Sequence, residues 1–128
     1  MRKAMLGAAL GLGLAAPAWA DPVIGTWQTQ PDDGSFAYVQ MQPCGEGAIC
    51  GTISRTFNGE GEYQSGNIGK RLVWDMEPRG EGQYRNGRIW QPSSDKVFSS
   101  KMVLSGDTLR VSGCFGPICK KQTWQRVK

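Results

Sequence analysis

The chemistry open to this chain is narrowed first by what it lacks. Its 128 residues contain no histidine. Neither a Ser–His nor a Cys–His nucleophile pair can therefore be built, because each needs an imidazole to accept the nucleophile's proton. Paired carboxylates can still do acid–base work, and the nearest candidates are Glu60 with Glu62 and Asp75 with Glu77. Both pairs fall at or beside turn-forming sequence, where carboxylates are ordinarily just solvated. No catalytic residue is assigned, and the chain is read as a non-enzyme. Asn58-Gly59-Glu60-Gly61-Glu62 places oxygen ligands at alternate positions, as calcium loops do. It lacks the Asp-rich pattern and the distal Glu of such a loop, so it is read as a polar loop. No metal and no cofactor are expected.

Four cysteines form two local pairs, Cys44-x5-Cys50 and Cys114-x4-Cys119. Four cysteines permit three pairings, and spacing alone does not choose among them. A zinc knuckle uses closer spacing and commonly histidine. Each pair brackets turn-forming residues, Gly45-Glu46-Gly47 and Phe115-Gly116-Pro117. Facing positions on paired strands lie within bridging distance, so Cys44–Cys50 and Cys114–Cys119 are the economical disulfides.

Large aromatics are the other chemical resource. Phe36, Tyr38, Trp74, Trp90 and Phe98 are many for so small a domain. They can line a pocket for a small apolar or amphipathic ligand, or they can plug a core. Tyr38, Trp74 and Trp90 are the candidate ligand-binding residues. The Phe57–Gly69 stretch is either a lid over such a pocket or an exposed loop without a role. Arg85, Arg88 and Arg110 with exposed aromatics are candidates for a protein-interaction patch, without a partner being indicated.

The compartment follows from residues 1–20. Met1-Arg2-Lys3, an apolar run from Ala4 to Ala16 and Ala18-Trp19-Ala20 have the three parts of a secretory signal peptide. The expected domains are a signal peptide over 1–20 and one folded domain over 21–128, in the periplasm or secreted. Removing Arg2 and Lys3 lowers Lys+Arg from 15 to 13 against 11 Asp+Glu, a net charge of +2. No basic cluster supports nucleic-acid binding, and no second apolar segment suggests a span in the mature chain.

These residues must be positioned by short elements, since no segment has a helical period. Alternating or β-branched runs recur at Gly25–Gln30, Ser35–Gln42, Ile49–Thr56, Lys70–Met76, Tyr84–Gln91, Lys96–Leu104, Thr108–Cys114 and Lys120–Val127. Turn signals such as Asp32-Asp33-Gly34 and Ser105-Gly106-Asp107 separate them. About eight consecutive strands joined by short turns favour an all-β, eight-stranded antiparallel up-and-down barrel, with a two-sheet sandwich as the alternative. In a closed meander the first and last strands are neighbours. The Arg126 guanidinium can then lie over the Trp27 indole and help close the barrel.

The motifs along the chain resemble a bacterial domain-of-unknown-function family, number twenty-one forty-seven (DUF2147). They are Gly25-Thr26-Trp27; Pro43-Cys44-Gly45 with Cys50-Gly51-Thr52-Ile53; Gly87-Arg88-Ile89-Trp90-Gln91-Pro92; Lys101-Met102-Val103-Leu104; Leu109-Arg110-Val111-Ser112-Gly113-Cys114; and Cys119 with Gln122-Thr123-Trp124-Gln125-Arg126-Val127. The resemblance implies a calycin-like or lipocalin-like barrel in an envelope or extracellular setting, and no activity. Trp90, Gln91, Asp95 and Phe98 depart from the family's common Tyr, Asp, Gly and Tyr. The expected function is a small-ligand binding or carrier barrel; a structural or protein-interaction module with a filled barrel is the alternative.

Overall fold

Backbone polar groups in a small all-β chain are best satisfied when the sheet meets itself, because no strand edge is then left unpaired. This chain takes that solution in a computed structural model that describes residues 21–128. The signal segment expected over 1–20 lies outside the described residues. Nine strands follow in order: β1 Gly25–Gln28, β2 Phe36–Pro43, β3 Ile49–Asn58, β4 Gly61–Tyr63, β5 Arg71–Gly80, β6 Gln83–Gln91, β7 Lys96–Ser105, β8 Thr108–Phe115 and β9 Ile118–Arg126. All pairings between these strands are antiparallel. Eight strands close the barrel through β1–β2, β2–β3, β3–β5 and successive neighbours back to β9–β1, and β4 hangs from the end of β3 alone.

β4 departs from the expectation of a lid or loop over Phe57–Gly69. β3 runs on through Asn58, the chain turns at 59–60, and Gly61–Tyr63 pairs back along Thr56–Asn58. Glycines at 59 and 61 hide a strand this short, since they carry no alternation pattern. The Arg55–Glu62 ion pair holds the flap, with Arg55 Nε donating to Glu62 Oε2 over 2.8 Å.

Up-and-down order divides the loops between two ends. The 29–35 turn, the 59–70 segment, the 92–95 turn and the Gly116-Pro117 turn share one end. The Cys44–Cys50 loop, the Glu81-Gly82 and Gly106-Asp107 turns and both described chain termini share the other. The two disulfides therefore sit at opposite ends, Cys44–Cys50 with Cα atoms 5.7 Å apart and Cys114–Cys119 with Cα atoms 4.0 Å apart.

The half of the interior near the termini is filled. Trp27, Val39, Met41, Ile49, Val73, Met76, Leu109, Val111 and Trp124 are fully buried. Burying an aliphatic side chain of this size stabilises by about 2 kcal/mol before entropy is counted, so this layer is the main source of stability. Gly51 is needed here. A Cβ on it would meet Val39 Cγ1 at 2.6 Å and Met41 Sδ at 2.9 Å.

Two irregularities decide which residues face inward. β3 carries an extra residue opposite Tyr38/Val39. Asp75 has a left-handed φ of 57°, and the β3–β5 register shifts around it so that Ile49 faces Met76 while Gly51 faces Val73. Val73 and Met76, three residues apart, are both buried, and Trp74 between them is not.

Candidate functional site

The opposite half of the barrel is hollow. A cavity of about 550 Å³ opens at the end away from the termini. Phe36, Ala37, Ile53, Leu72, Ile89 and Phe98 supply much of its apolar wall, and Trp90, Pro92, Phe115 and Ile118 lie at its rim. Pro92 comes from the 92–95 turn, Trp90, Phe115 and Ile118 stand at the ends of β6, β8 and β9, and β2, β3, β5, β6 and β7 deliver the wall. Gly113 also lines it; a Cβ there would come within 3.2 Å of Ile89 Cγ2, so its absence leaves room.

Several polar side chains of the lining are bound to the protein itself. Thr29 Oγ1 accepts from the Ala37 amide at 2.9 Å, and Thr56 Oγ1 donates to the Tyr63 carbonyl at 2.6 Å. Gln30 Oε1 accepts from the Thr123 amide at 2.8 Å, and Gln122 Oε1 accepts from the indole N–H of buried Trp124 at 2.7 Å. A wall whose polar groups are partnered leaves apolar surface as the main attraction for a guest. Among the cavity-lining residues Lys120 is the one cation and Asp32 the one carboxylate.

The residues singled out from sequence separate in space. Trp90 is at the mouth; its indole N–H donates to Asp95 Oδ1 at 2.9 Å, and Lys70 Nζ lies 5.4 Å from its ring centre. Tyr38 and Trp74 are not among the cavity-lining residues. Tyr38 lies opposite Arg55 on β3, with its ring 4.8 Å from that of Phe57 and Arg55 stacked over both rings. Trp74 lies opposite Arg88 on β6, next to the irregularity at Asp75. The reasons are two local irregularities: the extra β3 residue opposite Tyr38/Val39 on β2, and on β5 the left-handed Asp75, which breaks the alternation that would put Leu72, Trp74 and Met76 on one face. Phe57, Leu72, Ile89 and Gln122 are lining residues that sequence reasoning passed over. For Leu72, Ile89 and Gln122 the signal was the strand pattern of β5, β6 and β9, which marks a strand without saying which face is inward; Phe57 falls in a stretch taken as a loop.

At the closed end Trp27 and Arg126 are cross-strand partners, with the guanidinium carbon 4.5 Å from the indole centre. Arg126 also donates to the carbonyls of Pro22 at 2.7 Å and Ile24 at 3.4 Å and to Asp107 Oδ1 at 2.8 Å. Buried Tyr84 donates its hydroxyl to Asp21 Oδ1. Burial first, and the Asp21 carboxylate second, hold its phenol well above the ordinary range.

The candidate carboxylates do not converge. Glu62 is paired with Arg55 at the flap, and that bond lowers its pKa. Glu77 lies on β5 with Arg79 and Asn86, which lower its pKa in that order. Asn58 Oδ1 accepts from the Glu60 amide at 2.8 Å, a turn-forming bond inside the stretch compared with a calcium loop. No helix long and apolar enough to cross a membrane occurs among the described residues.

The barrel is similar to a solved structure, described as protein HP1028 from the human pathogen Helicobacter pylori, which belongs to the lipocalin family. The two align with a TM-score of 0.64 over 83% of each chain at 15% identity, a likeness of fold. No curated protein matches the sequence. Residues 25–126, from the first barrel strand to the closing arginine, match the family described as "uncharacterized protein conserved in bacteria", and the chain belongs to that family, DUF2147.

Proposed function

We propose that this protein is an exported binding barrel that takes a small apolar or amphipathic ligand through its open mouth, by passive binding without covalent chemistry. The observation that carries this is the hollow half-barrel: about 550 Å³ of apolar-walled space above a fully packed floor. Pockets of this size and character bury most of a small ligand's surface. The lipocalin-like fold supports the same reading. A periplasmic or extracellular location is supported by two disulfides, which persist in oxidising compartments, and by the signal-like sequence of residues 1–20.

Native mass spectrometry of the exported protein, purified without detergent, tests the reading. The expected spectrum shows a mass increment that disappears on denaturation, or uptake of an added long-chain fatty acid at one molecule per barrel. A spectrum holding the apo mass alone, before and after fatty acid is added, would overturn it in favour of a structural or protein-interaction module.

A further inference from the structure

We infer that the β8–β9 hairpin tip docks this protein onto an anionic lipid bilayer, mouth first. Its first support is exposure in the wrong place for a soluble surface. Phe115 and Ile118 face each other across the strand pair and are 78% and 70% exposed. Val97 on the adjoining strand is 51% exposed, and Lys96, Val97, Phe98 and Phe115 share one shallow depression. Contiguous exposed apolar surface marks an interaction site.

The second support is rigidity. Gly116 takes a left-handed φ of 59° in the first central position of a two-residue turn, followed by Pro117. This is the turn that matches strand twist. Directly below it, Cys114 and Cys119 face each other and are bonded. The apolar tip is held out at the rim without further ordering.

The third support is charge. Lys96 lies beside the tip on β7 and Lys120 below it on β9, followed by Lys121. None of these three is in an ion pair among the described residues. The tip residues Phe115-Gly116-Pro117-Ile118 carry no charge themselves; of the acidic residues at the mouth, Asp95 beside Lys96 is engaged by the Trp90 indole, Glu62 is paired with Arg55, and Asp32 and Asp33 belong to the neighbouring 29–35 turn. The apolar tip is thus flanked by Lys96, Lys120 and Lys121. Apolar wedges flanked by lysine are what an anionic headgroup layer attracts. Docking by this tip brings the cavity rim, to which Phe115 and Ile118 also belong, against the bilayer. The inference rests on the binding-barrel reading only for what would pass through the mouth.

The test is co-sedimentation with vesicles of phosphatidylglycerol and phosphatidylcholine, against phosphatidylcholine alone. The protein is expected on the anionic vesicles and to be released as salt approaches 1 M, where charges are screened within a few ångströms. Lys96→Glu with Lys120→Glu is expected to weaken binding at least ten-fold, since each lysine near such a surface is worth about five-fold. Phe115→Ser with Ile118→Ser is expected to weaken it comparably. Val103→Ser, an exposed apolar position on the outer wall, is expected to change nothing. Circular dichroism and thermal unfolding of the same variants check their fold, and uptake of a fatty acid in solution by the parent reports on the cavity separately. Equal binding to neutral vesicles, or no vesicle binding by the parent, would overturn the inference. So would a tip variant that changes the oligomeric state and not lipid binding.

Discussion

Arg126 covers the indole of Trp27 at 4.5 Å, across the one seam where the first and last barrel strands meet. Strand pairing there is short: only Trp27–Arg126 and Gln28–Gln125 are in register. The guanidinium extends the seam by binding two carbonyls of the incoming chain, at Pro22 and Ile24, and Asp107 in the neighbouring turn. A planar fork with five donors can serve three acceptors and a ring face at once, which an ammonium cannot.

Replacing Arg126 by Met keeps the aliphatic stem and deletes these bonds. Net losses for hydrogen bonds to charged groups and for a cation–π contact suggest about 2–3 kcal/mol, which in a domain this size corresponds to roughly 10–15 °C in Tm. Arg126→Lys should recover less than half of the loss. Thermal unfolding followed by circular dichroism checks both, and an unchanged Tm for the Met variant would mean that the seam is held by strand pairing alone.

Tyr84 ties alkaline stability to the same end of the barrel. Its phenol is held above the ordinary range by burial and by Asp21. Native Tyr84 therefore stays protonated where the unfolded chain has begun to lose its proton. The stabilisation is complete below about pH 10 and declines as pH rises toward the raised native value, at up to about 1.4 kcal/mol per pH unit. Tyr84→Phe cannot ionise. It should cost about 1 kcal/mol at neutral pH through the lost hydrogen bond, and the gap from the parent should narrow between pH 10 and 12. Urea unfolding across that range measures the difference, and a constant gap would mean that the native fold does not hold Tyr84 protonated.

Gly51 tests how tightly the floor is packed. An added methyl meets Val39, Met41 and Val73 at 2.6, 2.9 and 3.0 Å. Methionine can yield, but β-branched Val39 has little rotamer freedom. Gly51→Ala should destabilise by about 1–3 kcal/mol, the range for overpacked cores, despite alanine's lower backbone entropy cost. A gain in Tm would show that the floor has slack.

The disulfides should act independently. Cys44–Cys50 staples a loop at the closed end and Cys114–Cys119 a hairpin at the mouth. Each closes a short loop, so removing either by paired Cys→Ser substitution should cost about 2 kcal/mol or less. With no shared contacts, the losses should add to within about 0.5 kcal/mol in the quadruple variant. Strong non-additivity in urea unfolding would mean that the two ends fold as one coupled unit.

Why the strands were legible and the pocket only partly so follows from what each depends on. Turn residues such as Asp33 and Gly34, both left-handed, mark chain reversals locally, and alternation between them marks strands. A barrel then follows from consecutive short reversals. Which alternating set faces inward is a long-range property. Tyr38 continues an apolar row from Phe36 as regularly as Val39 and Met41 continue one from Ala37, and only the pairing across β1 and β3, with its extra residue opposite Tyr38/Val39, puts Val39 and Met41 inside and leaves Tyr38 out of the cavity. On β5 a single left-handed Asp75 shifts the row, and aspartate carries no local mark of a bulge. Trp27 and Arg126 were legible because closure itself makes the chain ends neighbours. The hollow half was not, because a cavity is a shortfall of volume, visible only when all facing side chains are placed.

That shortfall gives the sharpest division between wall and surface. Ala37 lines the cavity on β2, whereas Trp74 is outside it. A phenyl ring at 37 would project into space now empty, while the backbone keeps its strand pairing with Thr56 and its hydrogen bond from the Ala37 amide to Thr29. Ala37→Phe should therefore leave Tm within a few degrees. It should weaken uptake of the fluorescent probe 1-anilinonaphthalene-8-sulfonate by at least ten-fold, which corresponds to about 1.4 kcal/mol. Trp74→Ala removes a larger apolar side chain but no part of the wall, so probe affinity should hold within a factor of two. Fluorescence titration of both variants decides the matter. Probe binding that survives Ala37→Phe and is lost with Trp74→Ala would place the binding surface on the outer wall of β5 and β6, and the hollow half would then be space without a guest.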